Sequence, residues 1–140
     1  MRAPFNATHL RAMTPTAEAM RGLSAPNAVE ALERLSVMGV CDTVLTDDAR
    51  EVLGVVGAIP LGNDACEVLI ISSEEQKRHP KTFIRAVREA LSIIKRNFGT
   101  IQALGEDTPF YDRWLSWIGF SRRGGVLVGG IKMTMWEMRS

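Results

Sequence analysis

A run of basic and amide side chains lies immediately before the longest predicted helix of the chain. Its sequence over positions 76–81 is QKRHPK, and Lys77, Arg78 and Lys81 carry the positive charge. Backbone N–H groups and the helix dipole favour an anion at a helix N-terminus, although Pro80 removes one of those donors. Lys77, Arg78 and Lys81 could attract an anion to this segment, but a solvated loop is the simpler interpretation.

Other residues able to do acid–base, nucleophilic or metal chemistry are sparse. His79 is one of two histidines, and no Ser or Cys stands at a motif position beside it, so an exposed loop residue is the simpler interpretation. Cys41 and Cys66 each lie in an apolar run without His or Cys at a metal-binding spacing. We therefore expect two buried free thiols and no metal site.

Size and charge limit the classes of function. The chain has 140 residues, 46% of them hydrophobic and 24% charged, which predicts one globular domain over residues 1–140. A net charge of +1 gives no field for neutralising many phosphates, so no nucleic-acid partner is expected. No run approaches the roughly 18 apolar residues of a membrane helix, and the start lacks a signal-peptide core. We expect no membrane partner and a cytoplasmic protein.

The N-terminal third predicts one strand and two helices. Residues 1–10 are compatible with a first strand, although Pro4 limits its regularity. Thr14 followed by proline predicts a helix start, and Gly22 its end. A second helix begins at Ser24, ends at Gly39 and carries an apolar stripe, formed by Val29, Leu32 and Leu35.

The middle of the chain predicts an antiparallel meander of three strands. The strands span residues 40–46, 51–59 and 65–71, all rich in Val, Ile and Leu, with turn compositions at 46–50 and 60–64. Gly54 and Gly57 inside the second strand indicate a bulge or a close backbone approach. The third strand is continuously apolar, which is typical of a central strand covered on both faces.

The clearest helix follows a polar loop over residues 72–80. Its apolar residues recur at steps of three and four, at Ile84, Val87, Leu91, Ile94 and Phe98, so it is expected to pack on the sheet. A short strand at 100–104, a short helix that begins at Pro109 and a last strand at 131–138 complete the chain.

This order of strand, strand, long helix, strand and short helix resembles the acetyl-CoA-dependent N-acetyltransferase (GNAT) fold. The short helix and its end, FYDRWLSWIGF at positions 110–120, match the superfamily's Asn-x-x-Ala-x-x-Leu-Tyr-x-x-x-Gly-Phe pattern at Trp114, Gly119 and Phe120. The resemblance implies an α+β fold, with a mostly antiparallel mixed central sheet flanked by helices in α/β/α-type layers.

The same resemblance implies a site that this sequence matches only in part. A GNAT binds the cofactor's pyrophosphate in a Gln/Arg-x-x-Gly-x-Gly/Ala turn, and the resemblance makes Gln76, Lys77, Arg78 and Lys81 the candidate cofactor-binding anion ligands. Counting from Gln76 or from Arg78, however, places no glycine at the required positions. The tyrosine that usually acts as general acid falls on Leu115, and Tyr111 lies about 6 Å earlier along the helix. Glu67 stands where some GNATs carry a carboxylate that deprotonates the amine, although a solvent-facing carboxylate is the simpler interpretation.

Within the superfamily, the chain is most similar to the internal virion protein A-like family of short-tailed bacteriophages. The matching segments are a Gly-rich strand at 54–61, an apolar strand ending in serines at 69–73, a basic helix at 83–98 and an aromatic helix at 110–115. The resemblance implies a GNAT scaffold that has lost catalysis and contacts other virion proteins. Arg113, Trp117, Arg122 and Arg123 are the candidate partner-binding residues, since arginine and aromatic side chains are common interface anchors.

Two functions follow. The expected one is a non-catalytic, phage virion-associated or virion-assembly protein without a cofactor, acting in the host cytoplasm or within the particle, with homo-oligomers left open. The alternative is an acetyl-CoA-dependent N-acetyltransferase with a degenerate cofactor motif, for which Glu67 and Tyr111 are the catalytic candidates.

Overall fold

The computed structural model of the protein describes residues 1–13, 28–38, 41–106, 109–128 and 130–139. Its elements in chain order are β1 (Arg2–Pro4), α1 (Ala7–Arg11), α2 (Ala28–Val37), β2 (Cys41–Leu45), β3 (Val52–Gly62), β4 (Ala65–Ser72), a 3-10 turn (Glu74–Arg78), α3 (Pro80–Asn97), β5 (Thr100–Glu106), α4 (Pro109–Ile118), β6 (Ser121–Val128) and β7 (Ile131–Arg139).

The seven strands form one mixed sheet in the order β1-β2-β3-β4-β5-β7-β6. Every neighbouring pair is antiparallel except β4 and β5, which are parallel because α3 carries the chain back between them. The predicted mostly antiparallel mixed sheet is therefore confirmed.

The parallel pair β4 and β5 is joined at its beginning and open at its end. The carbonyl oxygen of Asp64 accepts hydrogen bonds from the N–H groups of Gly99 at 2.8 Å and Thr100 at 3.2 Å. Pairing then stops at Val68 and Ala103, while β4 continues to Ser72 and β5 to Glu106. The two strands consequently part, and we call the opening between residues 69–72 and 104–106 the β4–β5 wedge.

Helices cover the two faces of the sheet unequally. On one face, α3 contributes its apolar stripe to the main core with Cys66 and Val68 of β4, and the buried stripe includes Phe83, Ile84, Val87, Leu91 and Ile94. On the other face, Leu32 and Leu35 of α2 pack near Leu69 and Ile71. The predicted stripes of both helices and the buried, unpaired cysteines are confirmed.

The short helix α4 packs beside α3 and ends as its sequence predicts. Phe83 of α3 stacks on Trp114 of α4, with ring centroids 5.7 Å apart. Gly119 has φ +119°, so the N–H of Phe120 can reach the carbonyl of Leu115 at 3.0 Å and close the helix.

Several predicted boundaries are wrong at the N-terminus and in the loops. Instead of one strand over residues 1–10, β1 has three residues and α1 follows, because the Asn6 side chain accepts from the Thr8 N–H and caps the helix. The second strand runs on to Gly62, leaving a tight turn at Asn63 and Asp64, both with positive φ. The expected polar loop contains the 3-10 turn. The helix predicted from Thr14 to Gly22, and the start at Ser24 and end at Gly39 of the next one, lie outside the described residues.

Replacing Leu91 by alanine should cost about 2–5 kcal/mol in the free energy of unfolding, because the side chain is buried where α3 meets the sheet. Denaturant unfolding followed by circular dichroism measures this. Arg85→Ala is the matched control, since Arg85 is exposed on the same helix. Equal losses at the two positions would mean that the helix face is assigned wrongly.

Gly54 permits the close approach of β3, β4 and α3. A Cβ there would lie 2.5 Å from the Ile71 carbonyl oxygen and 2.8 Å from the Phe83 ring. We expect Gly54→Ala to lower the free energy of unfolding by about 1–3 kcal/mol through overpacking. Gly125→Ala, whose Cβ would meet nothing closer than 3.8 Å, should be nearly neutral, and a harmless Gly54→Ala would refute the close approach.

Candidate functional site

At the β4–β5 wedge, the hydrogen-bonded pairing of β4 with β5 ends before either strand ends. Residues 69–72 pair with β3 on one side, and residues 104–106 pair with β7, but between the two segments no described strand is inserted. An extended molecule that carries amide groups could pair with such an opening as an added strand does. The wedge is therefore a candidate slot for an elongated ligand with its own donors and acceptors.

Apolar side chains lie at the α3 and α4 side of the wedge. Ile70 of β4 and Trp114 of α4 are half-buried against the main core, and Trp114 stacks on Phe83. Leu115 is fully within this core. A ligand in the wedge would thus pass an apolar aromatic surface on its way from the start of α3.

The 3-10 turn uses its own N–H groups internally. The N–H of Glu75 donates to the Ser73 hydroxyl, that of Gln76 to the Ser73 carbonyl and that of His79 to the Gln76 carbonyl. The turn therefore does not present a row of free donors to a phosphate. Beyond it, Pro80 has no N–H, and the N–H groups of Lys81 and Thr82 at the second and third helical positions have no carbonyl one turn earlier in the helix.

The four candidate anion ligands have different environments. Gln76 is buried, Lys77 pairs with Glu74 at 2.6 Å, and Arg78 pairs with Glu51 at 2.6 Å. Lys81 is exposed and forms no ion pair with the described residues. Of the four residues, Lys81 at the N-terminus of α3 is therefore the one left to bind an anion. The structure does not bring the four together as one ligand set.

Glu51, which the sequence analysis did not single out, joins the start of β3 to the start of α3. Its carboxylate accepts from Arg78 at 2.6 Å and contacts the His79 ring nitrogen at 2.8 Å. The hydrogen bond from Arg78, and next that from His79, lowers the pKa of Glu51. His79 is thus half-exposed and contacts Glu51 as part of the structure. The ion pair between Glu51 and Arg78 joins residues that are 27 positions apart, so no local sequence pattern reveals it.

An open cleft of about 480 Å³ lies beside these residues, lined by Thr46, Asp47, Asp48, Arg50, Glu51, His79 and Thr82. Three of these lining side chains are carboxylates. Because like charges repel, the cleft is poorly suited to a pyrophosphate. The wedge, on the opposite edge of β4, is the better candidate site.

Glu67 lies next to the point where the wedge opens. Alternation along β4 places it on the same face as Leu69, the face that carries α2, and it is half-buried there. Burial raises the pKa of its carboxyl group. Its neighbour on β5 is Gln102, which in turn neighbours Glu137 on β7. Glu67 is thus a carboxylate with raised proton affinity beside the slot, whereas the simpler expectation was a solvent-facing one.

The two tyrosine positions of the short helix differ from the pattern of the resemblance. Leu115, at the position where the resemblance expects tyrosine, is a core residue. The side chain of Tyr111 lies outside the described residues.

The four candidate partner-binding residues make separate local contacts. Trp117 is exposed and packs under the Arg88 guanidinium at 5.8 Å, while Arg113 is exposed on α4. Arg122 pairs with Asp112 at 3.6 Å and Arg123 with Glu137 at 3.7 Å. Arginines 122 and 123 are therefore engaged within the chain, and a partner role for the four residues stays a prediction.

Two further features bear on the class of site. Within the residues that the structure describes, no three or more His, Cys, Asp or Glu side chains are grouped so as to hold a metal ion. Over the same part of the chain, no helix combines the length and apolar character needed to cross a membrane.

Comparison with known proteins gives a fold and no sequence family. No family model matches the sequence, and no curated protein matches it. Among solved structures, a GNAT-family acetyltransferase from Bacillus cereus matches with a TM-score of 0.67 at 15% identity, covering 100% of this chain and 96% of its own. The chain has the GNAT acetyltransferase fold. A Bacillus subtilis acetyltransferase in complex with CoA matches similarly, with a TM-score of 0.66 at 15% identity and coverage of 100% and 97%.

A variant of the spermidine N-acetyltransferase of Vibrio cholerae matches with a TM-score of 0.61 at 14% identity, covering 71% of this chain. This GNAT-fold chain spans 63% of the length of that enzyme.

The expected phage virion function is wrong. The named matches are acetyltransferases, and nothing in them indicates a phage virion protein. The segments that suggested the phage family, such as the Gly-rich strand and the basic helix, are features of the GNAT sheet and its main helix, so they cannot separate one subfamily from another. The acetyltransferase alternative agrees better with these findings.

The raised pKa of Glu67 predicts a specific pH dependence of stability. A carboxyl group with a raised folded-state pKa stabilises the fold while protonated, and this contribution is lost as pH rises through the folded-state pKa. Glu67→Gln should therefore be at least as stable as the parent at neutral pH and lose that advantage at acid pH. Thermal unfolding from pH 4 to 8 measures this, with the exposed Glu33→Gln as control. An advantage for Glu67→Gln that grows as pH falls would contradict the assignment.

Proposed function

We propose that this chain is an acetyl-CoA-dependent N-acetyltransferase. The observation that carries the proposal is the β4–β5 wedge of a GNAT fold, with the half-buried carboxylate of Glu67 at its closed end. A matching Bacillus subtilis acetyltransferase is in complex with CoA, which supports the choice of donor.

The residues around the wedge fit the cofactor's arm better than its pyrophosphate. Backbone groups of residues 69–71 that face β5 would pair with the two amides of the arm, and Ile70 and Trp114 would contact its apolar parts. At the start of α3, the N–H group and the ammonium group of Lys81 would hold the phosphates. Without a glycine turn, and with Pro80 lacking a donor, we expect weaker binding than a full phosphate cradle would give.

When bound, acetyl-CoA supplies an acetyl group activated as a thioester. Glu67 would accept the proton that the acceptor's ammonium group must lose before its nitrogen can attack, directly or through one water molecule. A carboxylate with a raised pKa is a better base for this step than an ordinary one. Leu115 cannot donate a proton to the departing sulfur, and water or protonated Glu67 would supply one.

Acetyl-CoA at 1 mM should raise the unfolding temperature. A dissociation constant near 100 μM would stabilise the fold by about 1.4 kcal/mol, which corresponds to roughly 3–6 °C for a domain of this size. Lys81→Glu should reduce the shift at least by half, because it places a negative charge beside the phosphates. Arg96→Glu, at the other end of α3, makes the same change in charge and should keep the shift.

The absence of any shift with the parent protein would overturn the proposed donor. A shift that Lys81→Glu and Arg96→Glu reduce equally would show general charge attraction and no site at the start of α3.

Replacing Glu67 by glutamine should lower kcat for amine acetylation by about 10²–10⁴-fold, the usual contribution of a general base. The parent's kcat should rise with pH through a pKa above the ordinary carboxyl range, and the variant should lose this dependence. Release of free CoA thiol gives the rate. Unchanged kcat in Glu67→Gln would exclude Glu67 as the base while leaving the donor site standing.

A further inference from the structure

An apolar strip lies on the sheet face opposite α3, next to the wedge. Ala103, Thr134 and Trp136 point into the α3 core, so their strand neighbours Leu104, Met133 and Met135 point to the other face. The strip consists of Leu104, Met133, Met135 and Val126, which pairs with Met133. Leu104, Met135 and Val126 keep 38%, 36% and 40% of their surface exposed, so the described part of the chain leaves this face partly open beside β5.

The strip is adjacent to the carboxylate row that contains Glu67. Along one line across the sheet, Glu67 neighbours Gln102 and Gln102 neighbours Glu137. The next line on the same face, about 7 Å along the strands, pairs Leu104 with Met135. Leu104 also forms part of the wedge. One face therefore carries, side by side, the proposed base, the edge of the proposed acyl-donor slot and an uncharged apolar strip.

This arrangement has a definite charge pattern. Glu67 and Glu137 supply two carboxylates, and Arg123 offsets Glu137 at 3.7 Å. The strip itself carries no charge. A ligand with a cationic head at Glu67 and an uncharged apolar body along the strip would complement both parts.

Resting on the proposed function, we propose that the acetyl acceptor is a primary amine with an apolar body, such as a long alkylamine or an arylalkylamine. The amine lies at Glu67 and the body lies over Leu104, Met135, Met133 and Val126. A polyamine fits less well, because its second ammonium group would lose its hydration at the apolar strip and find no charged partner there. An acceptor with a carboxylate near its amine would meet the negative charge of Glu67.

The test compares hexylamine and 2-phenylethylamine with ethylamine, spermidine and glycine. We expect kcat/KM for hexylamine to exceed that for ethylamine at least tenfold, and to exceed those for spermidine and glycine. Without acetyl-CoA, hexylamine should also bind more tightly than ethylamine, measured by calorimetry or by NMR shifts of the Met133 and Met135 methyl groups. Preference for spermidine or glycine, or equal kcat/KM for hexylamine and ethylamine, would overturn the proposal.

Met135→Lys should lower kcat/KM for hexylamine about tenfold more than kcat/KM for ethylamine, mainly through KM. Val126→Lys gives a second, independent disruption of the strip. Leu127→Lys is the matched control, because Leu127 is 73% exposed on the same strand but alternates to the opposite face, and it should leave both values unchanged. Equal effects of Met135→Lys and Leu127→Lys on hexylamine would overturn the proposal.

Failure of the proposed function is recognised separately. If no amine is acetylated and acetyl-CoA does not bind, the function fails, and the cofactor-free binding series still decides whether the strip selects apolar amines. If light scattering shows a dimer that Met135→Lys dissociates, a second copy covers the strip and the acceptor assignment is overturned.

Discussion

Parallel pairing between β4 and β5 holds at one end only, and this constraint organises the molecule. The Asp64 carbonyl fixes both strands at their beginning by accepting from Gly99 and Thr100. From Val68 and Ala103 onward each strand follows its other neighbour, β3 or β7. The wedge is the result, and everything proposed for function is placed relative to it: Glu67 at its closed end, the start of α3 at its mouth and the apolar strip beside β5.

The core keeps the two strands apart without closing the gap. Residues of α3 pack against β4 on one side of the wedge, while Leu115 and Trp136 belong to the same core on the side of α4 and β7. The Phe83–Trp114 stack joins the two helices beneath the opening. Gly54 allows Phe83 to reach β3, and the Glu51 ion pairs hold the 3-10 turn against the sheet. Side-chain packing thus holds β4 and β5 apart at the wedge, where their backbone hydrogen bonds end.

Local sequence patterns predicted the elements well where one face is buried. The stripe of α3 recurs at helical spacing, and the strands are runs rich in Val, Ile and Leu. The end of α4 requires a positive φ, which favours glycine at position 119. Each of these features is therefore visible in the sequence. Residues 1–10 were assigned wrongly because a three-residue strand and a five-residue helix are too short to show a period. The virion function was assigned from patterns that the whole fold shares, and such patterns carry no information about a subfamily.

The candidate site was less predictable, because it depends on pairing between distant segments. Glu67 was named from the resemblance, but its place next to the opening of the wedge follows from the register of β4 with β5, which no local pattern shows. Glu51 and Arg78 are 27 residues apart. Lys77 and Arg78 were predicted as anion ligands, but in the structure they form ion pairs with Glu74 and Glu51.

The central claim is that the wedge holds the acyl donor, and amide hydrogen exchange tests it most directly. With saturating CoA, we expect slower exchange at those amides of residues 69–71 that face β5, and at Lys81, with little change in residues 46–51 beside the acidic cleft. Slower exchange in residues 46–51 alone, or no change at residues 69–71, would contradict the claim.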